Sequence, residues 1–290
     1  MKMTVWDRNY YIRRYAYGPC LKLLSHAMYR LSPVISEKLY DVDRPIFVIG
    51  CSRSGTTVFM DYFEYHADLC NWSEAAQIME LNYYNGEKDH LMEEMDVNEF
   101  DRFRIRLFFG LKTRLTGKKR FINKHPQNSL RIRYIKEIFP NAFFIHLIRD
   151  GRAVVESNYS RAKIDVYRSF FPFGDFPKPP LWRKYLQMSS LEQFAFQWRD
   201  IVLYIRRTAE SKLSAGDYME IRYEDFCKDV HGVFNHLDNF CALDSNRRLF
   251  GKIPNRLEAR NERWKRTLSV SEKERMNAII GSLNRELGYS

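Results

Sequence analysis

Residues 45–58 read P-I-F-V-I-G-C-S-R-S-G-T-T-V, a continuous apolar run that breaks into a loop bracketed by two glycines. Such a run, with β-branched residues and no polar alternation, predicts a strand buried on both faces, as in a parallel sheet. Val58, Phe59, Tyr62 and Phe63 then recur at helical spacing, so the unit is strand, loop, helix. A loop of this kind aims several backbone N–H groups and the positive end of a helix dipole at one spot, and anions bind there. Gly50 and Gly55 let the backbone curl closely, and Thr56 and Thr57 add hydroxyl donors. The G-x-x-x-x-G spacing is that of a P-loop, but the G-K-[ST] ending is missing: threonine (Thr56) replaces the lysine, and Arg53 sits inside the loop.

The rest of the chain repeats the alternation. Phe121–Lys124 is a short strand candidate ended by His125-Pro126, and Leu130–Phe139 reads as a basic amphipathic helix stopped by Pro140. Ala142–Ile148 is a second strongly apolar strand, after which Arg149-Asp150-Gly151 turns into another helix. Residues 91–115 and 190–213 read as helices, 218–222 as a strand and 270–287 as a terminal helix. Strands alternating with helices at least three times predict an α/β class: a three-layer P-loop-type fold with a central, mostly parallel sheet. Residues 163–183 differ in texture, with prolines interleaved among phenylalanines, and read as a lid or binding loop.

Magnesium-dependent phosphoryl transfer needs the missing lysine and a metal-holding carboxylate at the end of another strand. Asp150 stands at such an end, but the adjacent Arg149 favours an anion over a metal. The 47 Lys+Arg against 36 Asp+Glu, a formal net charge of +11, suit anionic ligands without choosing among them. The basic residues are scattered and form no recognised nucleic-acid module, so no nucleic-acid partner is expected. Five cysteines without a C-x-x-C pair argue against a disulfide framework or a zinc site, and Cys51 in the loop reads as a small buried filler.

Taken together, three segments resemble the sulfotransferases that use 3′-phosphoadenosine 5′-phosphosulfate (PAPS). C-S-R-S-G-T-T (51–57) is similar to that family's 5′-phosphosulfate loop in its arginine form. I-H-L-I-R-D-G-R-A-V-V-E-S (145–157) is similar to its 3′-phosphate element, an arginine at a strand end followed eight residues later by a serine, here Arg149 and Ser157. I-N-K-H-P (122–126) places Lys124 where the family has a lysine after a short strand. The likeness runs over roughly residues 44–290 and is to the tyrosylprotein and bacterial branch, whose R-W-K-R…L-N-R-E-L-G-Y pattern also appears near the C-terminus.

The resemblance implies a PAPS-dependent sulfotransferase that moves a sulfuryl group to a hydroxyl of a small molecule, glycan or peptide and releases adenosine 3′,5′-bisphosphate, with no metal required. Arg53, Ser54, Gly55, Thr56 and Thr57 would hold the 5′-phosphate, and Arg149 with Ser157 the 3′-phosphate. Tyr223 would stand near the nucleotide, and Lys265 and Arg266 would close over the 3′-phosphate. Lys124 and Arg53 would stabilise the leaving oxygen, and Glu74 or His125 would be the base. A P-loop kinase-like phosphotransferase lacking its lysine is the rival reading.

Residues 1–43 are expected to be a helical extension of a 44–290 catalytic domain. The basic, aromatic segment 11–31 would pack on that domain or contact a membrane surface peripherally. With no apolar span in the sequence, a cytoplasmic location is expected, with the Golgi lumen as the alternative for a truncated chain.

Overall fold

A computed structural model describes residues 18–63, 65–72, 75–79, 88–164, 173, 176–244 and 250–289. The strands are β1 (Ile46–Ile49), β2 (Leu69–Asn71), β3 (Arg120–Lys124), β4 (Phe143–Ile148) and β5 (Tyr218–Arg222). The helices, in chain order, begin with α1 (Gly18–Arg30), α2 (Thr56–Phe63), α3 (Ala76–Met79), α4 (Glu99–Leu115) and α5 (Ile132–Ile138). They continue with α6 (Gly151–Ala162), α7 (Ser190–Lys212), α8 (Tyr223–Lys228), α9 (Val230–Phe240), α10 (Arg263–Thr267) and α11 (Val270–Glu286).

The five strands form one sheet in the order β2-β3-β1-β4-β5, and every pairing is parallel. Parallel strands need covering on both faces, and the residues of β1 divide accordingly. Phe47 and Ile49 belong to a core shared with Phe109, Ile135, Val154, Trp198 and Ile280, on the side of α4, α5, α6, α7 and α11. Ile46 and Val48 face the other core, with Phe59, Phe226 and Phe234 from α2, α8 and α9. This is the three-layer α/β arrangement that the alternating pattern predicts.

Element edges follow local chemistry. The helix expected over 91–115 begins only at Glu99, because the Asn98 side chain caps it by accepting from Asp101 N at 2.9 Å, and residues 94–96 form a separate 3-10 turn. The helix expected from Leu130 is preceded by a 3-10 turn, Pro126–Leu130, started by the proline that ends β3. β2 carries no apolar run and escapes the sequence reading. One face of α1 packs on α4, with His26 stacked on Phe100 at 4.6 Å and Tyr29 edge-on to Phe103. Leu23 and Leu31 remain exposed. Among the described residues no helix is long and apolar enough to cross a membrane.

What the topology fixes for function is one place. The chain leaves β1 for α2 on one side of the sheet, while β3 and β4 flank β1 and end at the same carboxyl edge. Open parallel sheets bind ligands in the crevice at such a reversal of strand order.

Candidate functional site

The loop after β1 is held against β4, the turn after β3 and Tyr223. Gly50 has φ 146°, and a Cβ there would lie 2.5 Å from the Leu147 carbonyl oxygen on the neighbouring strand, so no side chain fits. The turn after β3 grips the same glycine: Gly50 N donates to Ser129 Oγ at 2.9 Å, and Ser129 Oγ donates back to Gly50 O at 3.0 Å. Gly55, at φ 90°, lies against the Tyr223 ring, which a Cβ would meet at 2.4 Å. Arg53 lies between them at φ 72°, a left-handed conformation that is costly for a residue with a side chain and that gathers at ligand sites.

Arg53 is exposed, and its Nε donates to Ser157 Oγ at 3.1 Å from the second turn of α6. The loop after β1 and the second turn of α6, 104 residues apart in sequence, are therefore in contact. Arg149, the first residue after β4, is 7% exposed. Its Nη1 donates to the Arg53 carbonyl at 2.9 Å, its Nη2 to the Arg260 carbonyl at 2.6 Å, and its Nε to Asn261 Oδ1 at 2.9 Å. The guanidinium also lies over the Tyr223 ring, 4.5 Å from its centroid. Among the described residues no carboxylate pairs with it. A buried cation held only by neutral oxygens and a ring is a demand for an anion.

Tyr223 is thus a wall between Gly55 and Arg149. Burial, chiefly, and a hydrogen bond with Cys227 push its pKa up to about 12, so it stays a neutral phenol. Thr56, Ser54 and Ser52 are buried in the loop and first turn of α2, and Thr57 is exposed. Cys51 is buried and its thiol is pushed up to about 12 by burial, which makes it the inert filler its surroundings suggest.

β3 delivers the next residues. Lys124 is its last residue, buried at 3% exposure, and pairs in register with Val48, two residues before Gly50. His125 caps the 3-10 turn: its Nδ1 accepts from Gln127 N at 3.3 Å, which leaves the proton on Nε2. Glu74 lies outside the described residues, as do residues 165–172, 174 and 175 of the 163–183 loop. The end of that loop is pinned beside His125. His90 N donates to Lys178 O at 3.0 Å, Lys178 N donates to His90 Nδ1 at 2.8 Å, and Gln197 Nε2 donates to Pro177 O at 2.7 Å.

Lys265 is exposed and pairs with Glu262, and Arg266 is exposed. The residues of this segment that touch Arg149 are Arg260, through its carbonyl, and Asn261. Ser129, Asn261 and Glu224 escape the sequence reading, and only Glu224, adjoining Tyr223, lay beside a flagged residue. A cleft of about 670 Å³ opens elsewhere, among Tyr29, Glu37, Tyr40, Glu99, Phe103 and Arg106, and shares no residue with this site. Among the described residues no group of three or more His, Cys, Asp or Glu side chains could hold a metal ion.

Known proteins resemble this chain in sequence and in fold. The profile described as "Sulfotransferase family" matches residues 45–247, well over half of the chain. Protein-tyrosine sulfotransferase A of Caenorhabditis elegans is 30% identical over 161 residues, covering 51% of this chain and 41% of that protein. The protein-tyrosine sulfotransferase of Drosophila melanogaster is 31% identical over 153 residues, covering 48% of this chain and 31% of its own length. The matches thus span less than half the length of these curated relatives. Among solved structures, the sulfotransferase domain from the curacin biosynthetic pathway superposes with a TM-score of 0.56 at 16% identity, covering 86% of this chain and 99% of that one. Sulfotransferase STF9 from Mycobacterium avium gives 0.59 at 14% identity, covering 90% and 81%. These two likenesses establish a shared fold, and with the profile match they lead to one conclusion: the chain belongs to the sulfotransferase family.

Proposed function

We propose that the protein transfers the sulfuryl group of PAPS to a hydroxyl acceptor and releases adenosine 3′,5′-bisphosphate. The observation that carries this reading is the Arg53–Ser157–Arg149 arrangement: two arginines from different strand ends share one crevice, and the buried one has no carboxylate partner among the described residues. The donor set fits a doubly phosphorylated nucleotide. Backbone N–H groups of the loop with Thr56, Thr57 and Arg53 hold the 5′ end, and Arg149 with Ser157 holds the 3′-phosphate. The kinase-like reading has no lysine in the loop to support it.

PAPS supplies an activated sulfur whose bond to the bridging phosphate oxygen breaks during transfer. Lys124 and Arg53 meet the charge that grows on that oxygen as it leaves, which lowers the transition state more than the ground state. The acceptor hydroxyl gives its proton to a base. The His125 lone pair on Nδ1 is engaged by Gln127 N, so we assign the base to Glu74. The protein-tyrosine sulfotransferases among the relatives make a peptide tyrosine the first acceptor to test.

Calorimetric titration with adenosine 3′,5′-bisphosphate tests the site. Arg53→Ala and Arg149→Ala should each weaken binding about tenfold or more, the worth of a lost charge-assisted hydrogen bond. Lys124→Ala should keep the affinity and lose turnover by about 10²–10³-fold. Unchanged affinity in both arginine variants would overturn the assignment.

A further inference from the structure

We infer that Glu224 is a positioning residue for the 3′-phosphate site, acting on Arg149 through Asn261. The inference rests on the nucleotide reading above and extends it to a residue that never touches the ligand. Glu224 occupies the first turn of α8, next to Tyr223, and is part-buried. Its Oε1 accepts from the Asn261 Nδ2, and the Oδ1 of the same amide accepts from Arg149 Nε at 2.9 Å. The amide is thereby oriented from both ends: with its N–H₂ committed to a carboxylate, its oxygen is left facing the guanidinium. The same Oε1 accepts from Asp150 N at 3.2 Å, so Glu224 also fixes the peptide that follows Arg149. Its Oε2 accepts from the Tyr289 hydroxyl at 3.0 Å.

One carboxylate therefore gathers three donors: the backbone beside Arg149, the amide that orients its side chain, and the phenol of the last turn of the chain. Arg149 has five N–H donors and spends three on the protein. Which two remain for an anion depends on the rotamer, and Asn261 sets it. Tyr289 belongs to the same unit: Tyr289 N donates to Asn284 O at 2.9 Å, and Asn284 in turn donates to Asp150 Oδ1 at 2.9 Å and accepts from Gly151 N at 3.0 Å. The C-terminal helix, α8 and the 3′-phosphate arginine are thus braced by a single hydrogen-bonded cluster. A surface carboxylate with no such role would leave the specificity of the site indifferent to its removal.

The test is a pair of dissociation constants measured by calorimetry on the full chain, for adenosine 3′,5′-bisphosphate and for adenosine 5′-phosphate. The wild type should prefer the bisphosphate. Asn261→Ala and Glu224→Ala should each weaken bisphosphate binding about tenfold while changing monophosphate binding less than about twofold. The double variant should lose no more than the worse single variant, because both act along one path. Glu224→Gln, which keeps an acceptor oxygen, should recover part of the preference and guards against a Glu224→Ala chain that fails to fold. If the Glu224 and Asn261 variants weaken both nucleotides equally, or keep the wild-type preference, the positioning role is overturned while the nucleotide site stands. If the wild type binds neither nucleotide, the functional reading itself fails and takes this inference with it.

Discussion

His90 stays neutral in the folded protein because burial, and then the charges of Arg131 and Lys178, push its pKa down from 6.5 to about 2. A histidine whose folded pKa lies below its unfolded value stabilises the fold above the unfolded pKa, and that stability drains as pH falls. Between pH 6.5 and about 2 the unfolded chain takes up a proton the folded one refuses. The slope from this residue approaches 1.4 kcal/mol per pH unit, roughly. Urea unfolding of His90→Gln between pH 4 and 7 should therefore show a shallower acid dependence than the wild type. Equal slopes would mean that His90 can be protonated in place. His90 was not legible in the sequence, because its partners are a backbone amide 88 positions away and an amide side chain 37 positions away. Arg53 was visible because it breaks a pattern. That Ser157 faces Arg53 was not, because helical spacing from Arg149 relates two residues of one element and says nothing of a loop arriving from another strand.

The elements that position the site are short, and their junctions hold them. Ser129 clamps both backbone groups of Gly50, so Ser129→Ala leaves a buried N–H without its acceptor and should cost about 1–3 kcal/mol in urea unfolding. Gly50→Ala sets a methyl against backbone and should cost more than that, since the Leu147 carbonyl cannot give without moving β4. Equal stability of either variant and the wild type would show that the loop is held by something else. β1, β3, β4 and β5 were legible, β1 and β4 from apolar runs that parallel pairing demands, and the helix after the Gly50–Gly55 loop from its 3.6-residue period. β2 was not, because Leu69–Asn71 is too short to carry a period. Nor was the approach of Asn261 to Arg149, which spans 112 residues and depends on how α10 and α11 dock on α6.

Across the whole molecule, the strand order brings the ends of β1, β3 and β4 to one crevice in a chain of net charge +11. Two arginines and a lysine stand at those ends, so nucleotide binding should weaken as salt screens them. Raising ionic strength from about 0.05 to 0.5 M should raise the dissociation constant for adenosine 3′,5′-bisphosphate several-fold. An affinity indifferent to salt would mean that the charges are not what the ligand meets. The most direct measurement of the central claim is transfer of labelled sulfate from PAPS to a tyrosine peptide and to simple phenols, in EDTA. We expect label on an acceptor hydroxyl, undiminished by the chelator and reduced about 10²–10³-fold in Lys124→Ala. No transfer to any acceptor, with phosphate instead moving from magnesium-ATP, would contradict it.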